Sequence, residues 1–436
     1  MVTLTDHAHA LIDKINITCI SITKIDNPDL LIKTGIMEIH SGVSRYISLP
    51  DDLQISRIYI DRNSYRKFET DDTKLPDDDP RRHLQFDTFT AKLAPGGGAH
   101  ISMELSVRGT DPERNDASHN LNCWSVSALW DQIQLARISL IEAYGIHISF
   151  SDARFRSIEI NKTFPTSSEF PYYRRALTYV TSLPSAKTRF VEADYYERDK
   201  ECRRPEDKRR VVLTFLKTSG ARGMEVKIYD KTAQLFNEGF YADAQYMRVE
   251  LVLKSAQKIR ASLKSNLLED LTDEKINAFF NGFICDQFVL QHLKRADAIQ
   301  PYLRRVLLEH YSNDKSTWAN AVMTEIHARE DQNNLPLILS VDSLTSLVDS
   351  SCERFLRRLV RARGQVSPTD TRKHTRRLTP DLLRQRRYRI KQSLRDACNG
   401  HLIYIQGDQQ RMNEIFDNLL PGWRDLPSMD ESTAVK

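Results

Sequence analysis

The 436-residue chain is too long for one ordinary domain, and its 40% hydrophobic composition suffices for sizeable cores, so two or three domains are expected. No run of about 18 apolar residues is present, which excludes a protein built on transmembrane helices; the start, "MVTLTDHAHALIDK", carries charges and histidines where a signal peptide needs an apolar core. A soluble, cytoplasmic protein without a membrane partner is the expectation. The formal charge is only +4 but is unevenly spread. Between Arg354 and Arg395 there are 15 Lys and Arg against 2 acidic residues, Asp370 and Asp381, which leaves the rest of the chain net acidic.

The six cysteines lie far apart with no C-x-x-C pair, which argues against a zinc site and against a dense disulfide framework.

In chain order, "NITCISIT" and "SRIYIDR" read as strands, followed by an acidic, proline-bearing loop from Glu69 to Arg82. "LQFDTFTAKLAPGGGAHISMELSVRG" reads as two strands joined at Pro95 to Gly98; those glycines form a turn, because neither phosphate-binding glycine pattern is present. A helix is predicted over "SVSALWDQIQLARISLIEAYG", with Ser125 or Ser127 as N-cap and Gly145 as terminator. "RFRSIEINKTF" is a strand and "FPYYRRALTYVTSL" a helix. After a charged loop, "VVLTFLKT", "EVKIYDKT" and "QYMRVELVLKS" resume the strands.

This mixture predicts an α+β domain over residues 1–262, a mainly antiparallel sheet with packed helices. From Leu263 the apolar spacing turns helical, so residues 263–436 are expected to form a mostly α-helical basic domain. In it, two short helices flank Thr379 and Pro380 and "HLIYIQGDQ" looks like a hairpin, a layout compatible with a helix-turn-helix or winged variant. The basic residues Arg376, Arg377, Arg384, Arg386, Arg387 and Lys391 are the candidate DNA contacts, since clustered cations gain affinity for phosphate backbones through counterion release.

Strand side chains alternate between faces, so each strand's polar face can be read off. Ile101, Met103, Leu105 and Val107 leave Glu104 opposite; Ile158 and Ile160 leave Glu159; Met247, Val249, Leu251 and Leu253 leave Arg248 and Glu250; Val226 and Ile228 leave Lys227, Tyr229 and Lys231. Alternation alone is equally compatible with an ordinary solvent-facing sheet surface. If the strands are neighbours, Glu104, Glu159 and Glu250 could hold a hard cation, Mg²⁺ or Mn²⁺, through oxygen ligands. Tyr229 could then attack a phosphate, with Lys227, Lys231 and Arg248 favouring its phenolate.

The order "SMELSVRG", "HN" at His119 and Asn120, a long helix, "RSIEINKTF", a second helix, "EVKIYDKTAQL" and "MRVELVLKS" resembles the filamentous-phage gene-two type of replication-initiation protein and the related rolling-circle plasmid initiators. The resemblance spans about Leu84 to Lys258, and its most specific element is Tyr229, Lys231, Arg248, Glu250 and Lys254. It implies a metal-dependent site-specific nickase and joining enzyme that starts rolling-circle replication. In the family the tyrosine, here Tyr229, forms a 5′-phosphotyrosine bond and frees a 3′-OH primer, with Lys231 and Arg248 stabilising phosphate charge. It further implies origin DNA, double- and single-stranded, as partner, with a host helicase, and Lys227, Lys254 and His119 beside the DNA. Glu159 stands where the family usually has Asp, Ser157 where it has Arg, and Ser118 where it has Gly. The paired His-hydrophobe-His metal motif of the wider nicking superfamily is absent. The rival readings are a conjugative mobilisation relaxase, with the same chemistry, and a non-enzymatic DNA-binding regulator on the same scaffold.

Overall fold

The computed structural model describes residues 3–6, 8–39, 47–48, 54–70, 73–93, 99–107, 121–183, 191–195, 212–218, 223–294, 324 and 399–426. The protein is α+β. Thirteen strands and seven α-helices are described, and the chain divides into two compact units, residues 1–170 with 190–282 and residues 171–189 with 283–436. Eleven of the strands form one sheet.

The sheet strands are β1 (Leu11–Thr18), β3 (Met37–Ile39), β4 (Ile47–Ser48), β5 (Gln54–Asp61), β6 (Thr88–Leu93), β7 (Ala99–Ser106), β9 (Arg154–Thr166), β10 (Val191–Tyr195), β11 (Val212–Thr218), β12 (Met224–Asp230) and β13 (Gln245–Leu253). Their order is β10-β11-β12-β13-β9-β1-β7-β6-β5-β3, with β4 also on β5, and every pairing is antiparallel. A separate ribbon joins β2 (Ser21–Ile25) to β8 (Ile146–Ser149). The stretch "NITCISIT" is therefore two strands. Cys19 breaks it at φ 58°, a left-handed backbone that no strand continues through.

Alternation places Ile15, Ile17, Phe89, Met103, Leu105, Phe155, Ile158, Ile160, Val249 and Leu251 on one face, all buried. Helix α1 (Pro28–Lys33) precedes β3, while α2 (Val126–Tyr144) supplies the main helical cover with Leu129, Ile133, Ala136 and Leu140 buried. The α2 start is capped by the Ser125 side chain accepting from the Ala128 N–H. Its end is Gly145 at φ 63°, a conformation that admits glycine at no steric cost. Both caps are the ones expected from the sequence.

Helix α3 (Arg174–Ser182) lies in the second unit, and α4 (Lys231–Asn237), α5 (Ala256–Leu263) and the start of α6 (Asp273–Ile284) in the first. In α6, Asn277 Oδ1 accepts from the Ala10 N–H at 2.9 Å and Asp273 accepts from the Val126 N–H at 2.8 Å, which pins the entries to β1 and α2.

The described part of the second unit is helical. Helix α7 (Asn399–Leu419) includes the "HLIYIQGDQ" stretch, so the hairpin reading is corrected. Met412, Ile415, Phe416 and Leu419, spaced for one helix face, are buried there. Tyr173 donates to Glu414 Oε2 at 2.5 Å, Arg175 pairs with Asp408 at 2.8 Å, and Tyr179 bonds His292 at 2.8 Å. The candidate contacts Arg376, Arg377, Arg384, Arg386, Arg387 and Lys391 lie outside the described residues, as does His119. Among the described residues, no helix is long and apolar enough to cross a membrane.

Candidate active site

Register pairs point their side chains to the same face, so the pairings decide whether Glu159 and Tyr229 meet. Tyr229 is opposite Arg248 and Lys227 opposite Glu250; Val252, two residues on in β13, is opposite Glu159. Glu159 is in turn opposite Lys14, which is opposite Ser106, two residues from Glu104. Tyr229, Glu250, Glu159 and Glu104 therefore share one face.

Sharing a face does not bring all four together. Ligand oxygens of Asp13, Glu159 and Glu250 lie within 4.8 Å of one another. Glu104 is not in this group; its carboxylate pairs with Lys14 at 2.5 Å, on the far side of β1 from Glu250. Asp13 takes the third place because β1 has a bulge between Ile12 and Lys14, which turns two consecutive polar residues to one face. A trace of this is visible in the sequence, where "IDKI" breaks the alternation by setting two polar residues between buried isoleucines.

Tyr229 is 8% exposed, and its hydroxyl donates to Glu250 Oε1 at 2.9 Å. Burial, followed by the negative charge of Glu250, holds its pKa well above that of a free phenol, while Arg248 pulls the other way. Glu250 accepts from Lys227 Nζ at 2.9 Å through its other oxygen. Burial opposes the charge of Glu250, but Lys227 and Arg248 overcome it and hold this carboxylate below its ordinary range. Glu159 behaves oppositely: burial and then Glu250 push it up to about 7. It has no hydrogen bond or ion pair among the described residues.

Arg248 is fully buried. Nε donates to Thr163 Oγ1 at 2.7 Å, Nη2 donates to the Leu121 carbonyl at 3.0 Å, and Nη1 lies 3.6 Å from Asp13. The structure thus places Arg248 as a fixed cation within the fold rather than at an open surface. Lys231 is also fully buried: it starts α4, donates to Gln234 at 3.0 Å, and is lowered to about 8 by burial and then by Arg248. The strand expected over "EVKIYDKT" ends at Asp230, because the Asp230 carboxylate accepts from the Ala233 N–H and caps the helix. Helix α4 then packs Leu235 on Leu121 and Tyr246. Tyr229 is recessed, while Lys227, Glu159 and Asp13 stay partly open.

Cys123 lines the same recess, accepting from Asn161 Nδ2 at 3.1 Å and facing Asp13 at 3.8 Å; burial pushes its thiol up to about 12. Lys254 pairs with Glu225 one register step beyond Lys227 and is half-exposed.

Three carboxylates face two fixed cations, Lys227 and Arg248, and Glu159 has no ion pair among the described residues. An oxygen-only donor set carrying excess negative charge suits a hard divalent cation such as Mg²⁺ or Mn²⁺.

No protein-family model matches the sequence, and no curated protein does. Among solved structures the chain is similar to the rolling circle replication initiator protein from Geobacillus stearothermophilus, at 11% identity and a TM-score of 0.25, over 60% of this chain and 80% of that one. A likeness at that level carries no functional weight.

Proposed function

We propose that this chain is a rolling-circle replication initiator that nicks one strand of origin DNA through Tyr229. The observation that carries the reading is the Tyr229–Glu250 hydrogen bond inside a carboxylate cluster on one sheet face. The motif order from Leu84 to Lys258 supports the same assignment.

In this reading the Tyr229 oxygen attacks a backbone phosphorus, its proton passes to Glu250, and the bond to the 3′ oxygen breaks as that oxygen takes a proton from solvent. The strand is left with a 5′-phosphotyrosine and a free 3′-OH. A divalent cation held by Asp13, Glu159 and Glu250 would polarise the phosphate and offset the negative field that keeps the phenol protonated. Lys227, protonated against Glu250 and partly open, offers charge to the phosphate. Buried Arg248 acts as a positioning residue, fixing Asp13 and biasing Tyr229 towards phenolate. Lys231 stands at the start of the helix that follows the tyrosine.

The test is incubation of the protein with supercoiled origin plasmid and Mn²⁺ or Mg²⁺, followed by assay for nicked circles and a covalent protein–DNA adduct. Tyr229→Phe should abolish both. An adduct that persists in that variant would remove Tyr229 from the role, and a wild type that never forms one would favour the non-enzymatic DNA-binding regulator.

A further inference from the structure

Away from the carboxylates, the same polar face changes sign. Arg57 is opposite Lys92 and Lys92 opposite His100, across β5, β6 and β7. Two residues along β7, Ser102 is opposite Thr18, and Thr18 opposite Arg154 on β9. A second register shift, between Asn16 and Ile17 of β1, turns both Arg156 and Ser157 of β9 to this face while Phe155 and Ile158 stay buried. The result is a stripe of Arg57, Lys92, His100, Arg154 and Arg156 crossing five strands.

Of these, Arg57 pairs loosely with Glu38 at 3.7 Å, while Lys92, Arg154 and Arg156 have no ion pair among the described residues and are exposed. His100 Nδ1 is buried without a hydrogen-bond partner. The chain outside the 354–395 block is net acidic, so a run of uncompensated cations is not the background composition. Between stripe and carboxylates the face offers Thr90, Ser102, Asn16 and Ser157, all small and polar. Glu159 lies five positions along β9 from Arg154, roughly 16 Å at ~3.3 Å per residue.

We propose that this stripe binds the sugar-phosphate backbone of a single DNA strand and leads it to the tyrosine. The single-strand assignment and the direction towards Tyr229 rest on the nicking reading; phosphate binding by the stripe does not. A single strand fits better than a duplex because the phenol is recessed, 8% exposed and bonded to Glu250, where a rigid double helix cannot lower one phosphate. Unpaired cations along a polar strand face give sequence-independent phosphate contacts.

The experiment uses the full chain, a fluorescent oligothymidylate, and the triple variant Lys92→Ala, Arg154→Ala, Arg156→Ala. All three positions are exposed, and circular dichroism with a thermal melt establishes that the variant is folded. Removing three backbone contacts should reduce the slope of log affinity against log salt by about 2, at ~0.7 per phosphate on single strands. The variant Lys92→Arg, Arg154→Lys, Arg156→Lys should retain the wild-type slope. Acetylation footprinting should find Lys92 protected by the oligonucleotide. An unchanged slope in a folded triple variant, or Lys92 reacting equally with and without oligonucleotide, overturns the stripe. An equal loss on duplex DNA overturns the single-strand assignment. The binding assay contains no divalent cation and reads no nicking, so failure of the nicking reading leaves this result readable.

Discussion

Tyr229 and Glu250 lie on neighbouring strands but are not register partners: Arg248 faces the tyrosine, Lys227 faces the glutamate, and the Tyr229 hydroxyl reaches diagonally to Glu250 Oε1 at 2.9 Å. Because Lys227 takes Oε2, each oxygen of Glu250 has its own partner. Glu250 is thereby kept ionised and aimed at the phenol, while Glu159 nearby is left to carry the unbalanced charge.

That imbalance gives a pH signature. Glu159 is raised from its ordinary 4.5 to about 7 in the folded protein, so the folded state binds its proton more tightly than the unfolded chain. Stability from this group is full below about 4.5 and is lost as pH rises towards 7. Glu159→Gln removes the penalty. Urea unfolding should find the variant more stable than wild type at pH 8, by about 1 to 2 kcal/mol after allowing for partial solvent access, and nearly equal to it at pH 4.5.

Cation binding should be visible without any turnover. A site that binds only the folded chain stabilises it by about 2.7 kcal/mol at one hundred times its dissociation constant. Mn²⁺ should therefore raise the thermal midpoint of wild type, and Asp13→Asn or Glu159→Gln should flatten the response. Glu104→Gln should leave it largely intact, because the Glu104 carboxylate is engaged by Lys14. An equal response in Glu104→Gln and Asp13→Asn would contradict the ligand set.

The helix that follows the tyrosine depends on its cap. Asp230→Ala removes the acceptor for the Ala233 N–H and should cost about 1 kcal/mol in urea unfolding. Since the helix starts two residues after Tyr229, adduct formation should slow while DNA affinity stays near wild type.

Much of this was legible in the sequence, for identifiable reasons. Helix α2 announces itself through Ser125, Gly145 and the spacing between them, and the faces of β7, β12 and β13, and of β9 from Ile158 to Ile160, follow from alternation. Asp13 was missed because a bulge breaks that alternation, and a rule of period two assigns one of the two polar residues to the wrong side. The burial of Arg248 was hidden because it comes with contacts distant in sequence, such as the Leu121 carbonyl and Thr163, which no local pattern encodes. "HLIYIQGDQ" misled through its alternating isoleucines and Gly407; the helical signal lies downstream, in Met412, Ile415, Phe416 and Leu419.

Tyr229 as nucleophile is tested most directly by peptide mapping of the protein–DNA adduct formed on nicked origin plasmid in Mn²⁺. The expected product is a peptide containing Tyr229 joined to a 5′-phosphorylated nucleotide, absent from Tyr229→Phe. An adduct on any other residue, or one still formed by Tyr229→Phe, would contradict that role.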